Sequence, residues 1–148
     1  MGRPDVGMVM AADTTVVEAL AGTDLFGSLS SKALKRVAGT AKTVRHAAGK
    51  HVTEEGGRGV GFHLIVEGTA SVSVGGSRRP DLGPGDYFGE ISLIDGKPRS
   101  ASVTAETDLV TISLVSWAFS PLLSEEPELA KALLLVMCAR LRAAEQRH

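Results

Sequence analysis

The chain has one cysteine, Cys138. An internal disulfide is therefore excluded, and a reducing compartment is the natural setting. It also has no basic excess: 16 lysines and arginines stand against 17 aspartates and glutamates, for a net charge of −1. A protein that binds nucleic acid electrostatically normally carries surplus positive charge, so nucleic acid is not an expected partner. Long apolar runs are missing too. The longest, 132–139, is eight residues, against about 20 for a membrane-spanning helix. Met1-Gly2-Arg3-Pro4-Asp5 lacks the apolar core of a secretory signal. Val6 stands where a myristoylation start would need Ser or Thr. These absences predict a cytoplasmic protein with no membrane partner.

Catalytic and metal-binding sets are equally scarce. His46, His51, His63 and His148 never fall into an H-x-H or H-x-x-x-H spacing, which zinc and related metals favour. No Ser-His-Asp set or carboxylate pair stands out. Cys138 lies among leucines and reads as an inert core thiol rather than a nucleophile. Trp117 reads as a packing residue. An enzyme is not expected.

What is present is ordinary globular composition, with 43% hydrophobic and 22% charged residues in 148, enough for one domain with its own core. Residues 1–41 read as a loose tail followed by helices. The first, 14–20, is short and mildly apolar. The second, 31–40, is capped by Ser30 and sets Leu34, Val37 and Ala38 on one face. From Lys42 to Val115 the period drops to two, and glycines punctuate the chain. Candidate strands are 42–46, 51–54, 62–66, 70–74, 79–82, 101–106 and 109–114. Many short strands at such spacing predict a barrel, sandwich or jelly roll. Gly75-Gly76 supplies the positive φ of a tight hairpin.

The helical period returns over 116–148. Ser116 is placed to cap a helix over 117–123, which Pro121 bends without abolishing. Ser124 is placed to cap a long helix running to Gln146, with Pro127 in its first turn. Glutamates crowd that helix's start and arginines its end, as its dipole favours. Leu133-Leu134-Leu135-Val136-Met137-Cys138 is apolar on every face. A helix packed on one side needs only one such stripe, so this one must meet something on two sides.

Chemistry concentrates in Phe88 to Val103, FGEISLIDGKPRSASV. Gly89 and Glu90 open a short apolar-polar run, and Asp95-Gly96-Lys97-Pro98 turns the chain back to Arg99. The N–H groups of a helix's first turn attract an anion, and glycine lets it approach the backbone. An arginine forks two donors onto phosphate oxygens. A carboxylate does not bind phosphate, but it accepts from sugar hydroxyls. One Arg, one Glu and one short helix therefore suit a ribose carrying a single phosphate charge. The blander reading is a β-turn with a surface arginine.

This stretch resembles the phosphate-binding cassette of the cyclic-nucleotide-binding domain family, which includes the catabolite activator protein and the regulatory subunits of cAMP-dependent protein kinase. The pattern FGE, a short apolar helix, then R-[STA]-A-x-V is met at Phe88-Gly89-Glu90, Arg99, Ser100, Ala101 and Val103. The resemblance covers about residues 25–147 and takes in the turn at Leu25-Phe26-Gly27. It implies a mainly β fold, an antiparallel jelly roll or β-roll flanked by N-terminal helices and two C-terminal helices. It implies a sensor of cAMP, with cGMP an alternative ligand. Arg99 would pair with the cyclic phosphate, helped by the Ser100 and Ala101 backbone. Glu90 would accept the ribose 2′-hydroxyl, and the backbone of Gly89, Ile91 and Ser92 would complete the cradle. Base contacts would fall to Met137, Leu141, Arg140 or Glu145, with Arg140 able instead to bridge to Glu90. The helix-turn-helix or second binding domain found elsewhere in the family does not follow here. The signal would therefore pass to a second copy, in a homodimer through the last helix, or to an effector protein. Two other classes compete: a degenerate domain kept as a protein-interaction surface, and a jelly-roll enzyme.

Overall fold

The computed structural model describes residues 14–53, 61–97 and 101–146. Two short helices come first, α1 (Thr14–Ala21) and α2 (Ser31–Ala38). Eight strands follow: β1 (Lys42–His46), β2 (His51–Thr53), β3 (Gly61–Glu67), β4 (Ala70–Val74), β5 (Ser77–Leu82), β6 (Tyr87–Phe88), β7 (Ser102–Ala105) and β8 (Leu109–Val115). The helix α3 (Glu90–Asp95) interrupts them between β6 and β7, and α4 (Ser116–Glu125) and α5 (Pro127–Gln146) complete the described chain.

The strands form two four-stranded sheets, ordered β1-β8-β3-β6 and β2-β7-β4-β5, with antiparallel pairing throughout. This is the antiparallel β-roll, with helices at both ends, that the family resemblance implies, and it falls within the barrel, sandwich or jelly-roll class that the glycine-punctuated alternation predicts. Period-two alternation then divides the core. Phe62 and Leu64 of β3, paired with Leu114 and Ile112 of β8, face the helices. Ile65, Ala70, Val103, Ala105 and Phe88 fill the space between the sheets. Phe26 joins helices to sheet, meeting Phe62 edge-on at 5.7 Å and Phe119 at 6.2 Å between ring centroids. Such edge-to-face pairs each add about 0.5–1.5 kcal/mol beyond the area they bury.

The β4–β5 hairpin closes with Val74 opposite Ser77, and both loop glycines, Gly75 and Gly76, have positive φ (59° and 80°). Only a residue without Cβ takes that pair of conformations cheaply. β6 has no counterpart among the predicted strands. It pairs His63 with Phe88 and Leu64 with Tyr87, and two residues are too few to show a period.

Ser30 caps α2 as predicted, its hydroxyl accepting from the Ala33 N–H at 3.2 Å. The other two serine caps are corrected. Ser116 is the first helical residue of α4, and the cap is Val115 in an extended conformation with no side-chain bond. Ser124 lies inside α4, and α5 begins at Pro127, where a missing N–H costs nothing. The glutamates at this junction also do more than complement a dipole. Glu128 accepts from the Ser30 hydroxyl at 2.8 Å and from the Ser30 N–H. Arg36 reaches Glu125 at 2.6 Å and Glu126 at 2.8 Å. Together they fasten α2 to the α4–α5 corner.

Two packing expectations are overturned. Trp117 is 72% exposed, because it falls on the outer side of α4 while Phe119 and Leu122 take the core. Cys138 is exposed, not a core thiol. On α5 only Leu129, Ala132 and Leu133 are buried, with Val136 and Met137 partly covered. Leu134, Leu135 and Leu141 stand 60–65% exposed, so the second apolar side predicted for this helix is left mostly uncovered by the described chain. No helix among the described residues is long and apolar enough to cross a membrane.

Candidate functional site

The β-roll delivers its polar residues to one place through β6 and the turn after it. Phe88 ends β6 with its ring stacked on His63, 5.1 Å between centroids, which anchors the chain immediately before the cassette. Gly89 then takes φ 85° as the N-cap of α3. A Cβ in that left-handed conformation would be strained. The first bond within α3 runs from the Leu93 N–H to the Gly89 carbonyl at 3.0 Å, so the N–H groups of Glu90, Ile91 and Ser92 precede the helix's own ladder. Leu93 is buried under the helices and holds α3 to the core.

Gly89, Glu90, Ile91, Ser92 and Ala101 line one cavity of about 60 Å³, with Thr53, Phe88 and Val103 completing its walls. Five of the predicted site residues are thus brought together. Arg99 and Ser100 lie outside the described residues. Thr53 was not anticipated; its hydroxyl donates to the Ala101 carbonyl at 3.3 Å and ties β2 to the chain that leaves the cassette.

Arg140, the eighth predicted residue, comes from α5. Its Nη1 donates to Glu90 Oε2 at 2.6 Å and its Nη2 to the Tyr87 hydroxyl at 2.5 Å. Of the two alternatives for Arg140, a base contact or a bridge to Glu90, the structure contains the bridge. Tyr87 in turn donates to Asp24 Oδ1 at 2.5 Å. The guanidinium carbon lies 5.8 Å from the centre of the Tyr87 ring, adding a cation–π contact.

Electrostatics follow from this arrangement. Burial by itself would lower the pKa of Arg140, but its bond to Glu90, with the charges of Glu90, Tyr87 and Asp24, outweighs burial and raises it. Burial first, then the bond to Asp24, pushes the Tyr87 phenol up against the opposing charge of Arg140. The phenol therefore stays protonated and donates.

Tyr87 and Asp24 were missed from sequence. Tyr87 is the chain's one tyrosine and directly precedes Phe88-Gly89-Glu90, which is a usable signal. Asp24 offers none, because its partner is 63 residues away.

Elsewhere, His46 and His63 stand 5.9 Å apart between ring centroids, with Thr111 within 3.3 Å of both. Among the described residues no group of His, Cys, Asp and Glu could hold a metal ion.

The family model of the cyclic nucleotide-binding domain matches residues 43–126. A cyclic nucleotide-gated potassium channel of Mesorhizobium japonicum is 38% identical over 112 residues, which is 76% of this chain and 31% of the channel. The regulatory subunit of a cAMP-dependent protein kinase from Emericella nidulans is 36% identical over 67% of this chain and 24% of the subunit. The chain therefore spans a quarter to a third of the length of these two relatives. Among solved structures, the N-terminal domain of a transcriptional regulator from Streptomyces coelicolor superposes with a TM-score of 0.77 at 28% identity, covering 87% of this chain and 94% of that one. The chain belongs to the cyclic nucleotide-binding domain family.

Proposed function

We propose that the chain is a cyclic-nucleotide sensor that binds cAMP at the cavity formed by α3 and β7. The observation that carries this reading is the convergence of Gly89, Glu90, Ile91, Ser92 and Ala101 on one cavity. Arg99 pairs with the cyclic phosphate, and the backbone of Ser100 and Ala101 assists. Glu90 accepts the ribose 2′-hydroxyl, while the N–H groups of the first turn of α3 face the phosphate. The base lies toward α5, where Met137, Leu141, Arg140 and Glu145 are its candidate contacts. A purine site walled by Leu and Met discriminates weakly between adenine and guanine, so cGMP is a weaker second ligand. The regulatory subunit from Emericella nidulans belongs to a cAMP-dependent kinase, which favours cAMP of the two.

The role is regulatory rather than enzymatic, in the cytoplasm, without nucleic acid or membrane as partner. Ligand shifts the equilibrium between positions of α4 and α5, whose underside rests on Leu93 and Ile94 of the cassette. The exposed leucines of α5 then pass the signal on, to a second copy of the chain or to an effector protein. Light scattering with and without cAMP tests the homodimer, and a strict monomer in both states rejects it.

A second reading has one observation in its favour. Arg140 already engages one oxygen of Glu90, as it would in a degenerate domain kept only as a protein-interaction module. Calorimetric titration with cAMP and cGMP decides between the two. Saturable binding of either nucleotide supports the sensor, and no binding at millimolar concentration leaves the interaction module.

A further inference from the structure

Four side chains from four places form one line of hydrogen bonds. Asp24 lies in the turn between α1 and α2, Tyr87 in β6, Arg140 in α5 and Glu90 at the start of α3. The line runs from Glu90 Oε2 to Arg140 (2.6 Å), from Arg140 to the Tyr87 hydroxyl (2.5 Å), and from that hydroxyl to Asp24 Oδ1 (2.5 Å).

Counting donors gives the line a direction. A guanidinium only donates and a carboxylate only accepts. The hydroxyl of Tyr87 has one proton, and it stands between a donor and an acceptor. It must give that proton to Asp24 and turn a lone pair toward Arg140. Asp24 thus orients the hydroxyl, and the hydroxyl orients the guanidinium. The Tyr87 ring is fixed from behind by Phe62, 5.3 Å between centroids. An arginine without this support would retain more of the rotamer freedom of a long side chain. At the other end of the line, Glu90 uses one oxygen for Arg140. Its Oε1 has no hydrogen-bond partner among the described residues.

We infer that Tyr87, held by Asp24, is a positioning residue for hydroxyl recognition at Glu90: it locks Arg140, which engages one carboxylate oxygen and leaves the other for the ligand. This rests on the cyclic-nucleotide reading above and names what sets its selectivity, a ribose against a 2′-deoxyribose. A carboxylate free to rotate accepts the hydroxyl in fewer of its orientations, so the 2′-hydroxyl gains less than at a fixed one.

The test compares the full chain with Tyr87→Phe, Asp24→Ala and Asp24→Asn. Each is titrated with cAMP and with 2′-deoxy-cAMP, and the ratio of the two Kd values is the readout. Loss of the tyrosine hydroxyl or of its acceptor should shrink the ratio about five- to tenfold, part of the roughly tenfold to hundredfold that one hydrogen bond to a charged group is worth. Asp24→Asn keeps an acceptor oxygen and should restore most of the ratio. The double variant Tyr87→Phe/Asp24→Ala should fall no further than either single change, because both act on one bond. A structural defect would weaken both nucleotides by one factor, leave the ratio intact and overturn the inference. If Tyr87→Phe does not fold, Asp24→Ala carries the same test through the same hydroxyl. Failure of the wild-type chain to bind either nucleotide would instead defeat the sensor reading, and this inference with it.

Discussion

Arg140 and Glu90 are 50 residues apart in the chain, yet Nη1 of one stands 2.6 Å from Oε2 of the other. Among the described residues, the pair joins the longest helix to the first residue of the shortest. It is only partly shielded, the two side chains being 37% and 18% exposed, so its net contribution to stability is on the order of 1 kcal/mol. Its importance lies in where it acts.

Removing the pair should loosen α5 without unfolding the protein. In Arg140→Ala, amide exchange over residues 134–146 should rise several-fold, while the strands keep their protection. Glu90→Gln should shift it in the same direction by less, because the amide oxygen still accepts. Unchanged exchange in both variants would show that the pair does not hold the helix.

At the cradle itself, Arg99→Ala should weaken cAMP binding by about tenfold or more, since a charged hydrogen bond contributes about 1.5–3 kcal/mol and the phosphate is left unpaired. The melting temperature without ligand should not move. Normal affinity in Arg99→Ala would mean that the phosphate is held elsewhere.

Burial, not hydrophobicity, should rank the aromatic residues. Phe26 is fully buried between Phe62 and Phe119, so Phe26→Ala should cost about 3–5 kcal/mol in denaturant unfolding. Trp117→Ala, at a 72% exposed position, should stay within about 0.5 kcal/mol. A reversed order would contradict the packing of α4.

Acid should destabilise the protein through His46. Burial, then the charge of Lys50, holds its pKa below the ordinary 6.5, and its Nδ1 is buried without a partner among the described residues. The unfolded chain takes up this proton near 6.5, and the folded chain only at lower pH. Stability is therefore full above 6.5 and falls as pH drops through it, levelling once the folded form also titrates. Thermal melts across that range should show the decline, and His46→Gln should flatten it. Equal slopes in the two proteins would remove His46 from the account.

How far sequence reaches is visible in these same residues. The β-roll is legible because alternation and glycine turns are local signals, and only β6, two residues long, escapes them. The residues that line the cavity are legible for the same reason: Gly89 to Ser92 are consecutive, and Ala101 follows nine residues later. The hydrogen-bonded line is not, because Asp24, Tyr87 and Arg140 meet only through the packing of the α1–α2 turn, β6 and α5. Serine caps fail at Ser116 and Ser124 because a cap signal states a preference, and the neighbouring chain decides whether the residue lies before the helix or within it. Cys138 and Trp117 fail differently. Hydrophobicity says that a side chain can be buried, but not which side of a helix meets the core.

The β4–β5 hairpin has a practical consequence. A side chain at Gly75 or Gly76 would enter open space, and residues 77–81 are exposed throughout. Neither glycine lines the cavity or belongs to the hydrogen-bonded line. The turn is therefore a port for instruments: a short peptide tag inserted between the two glycines, both kept because each holds a positive φ, should leave the melting temperature nearly unchanged and report without touching the cavity.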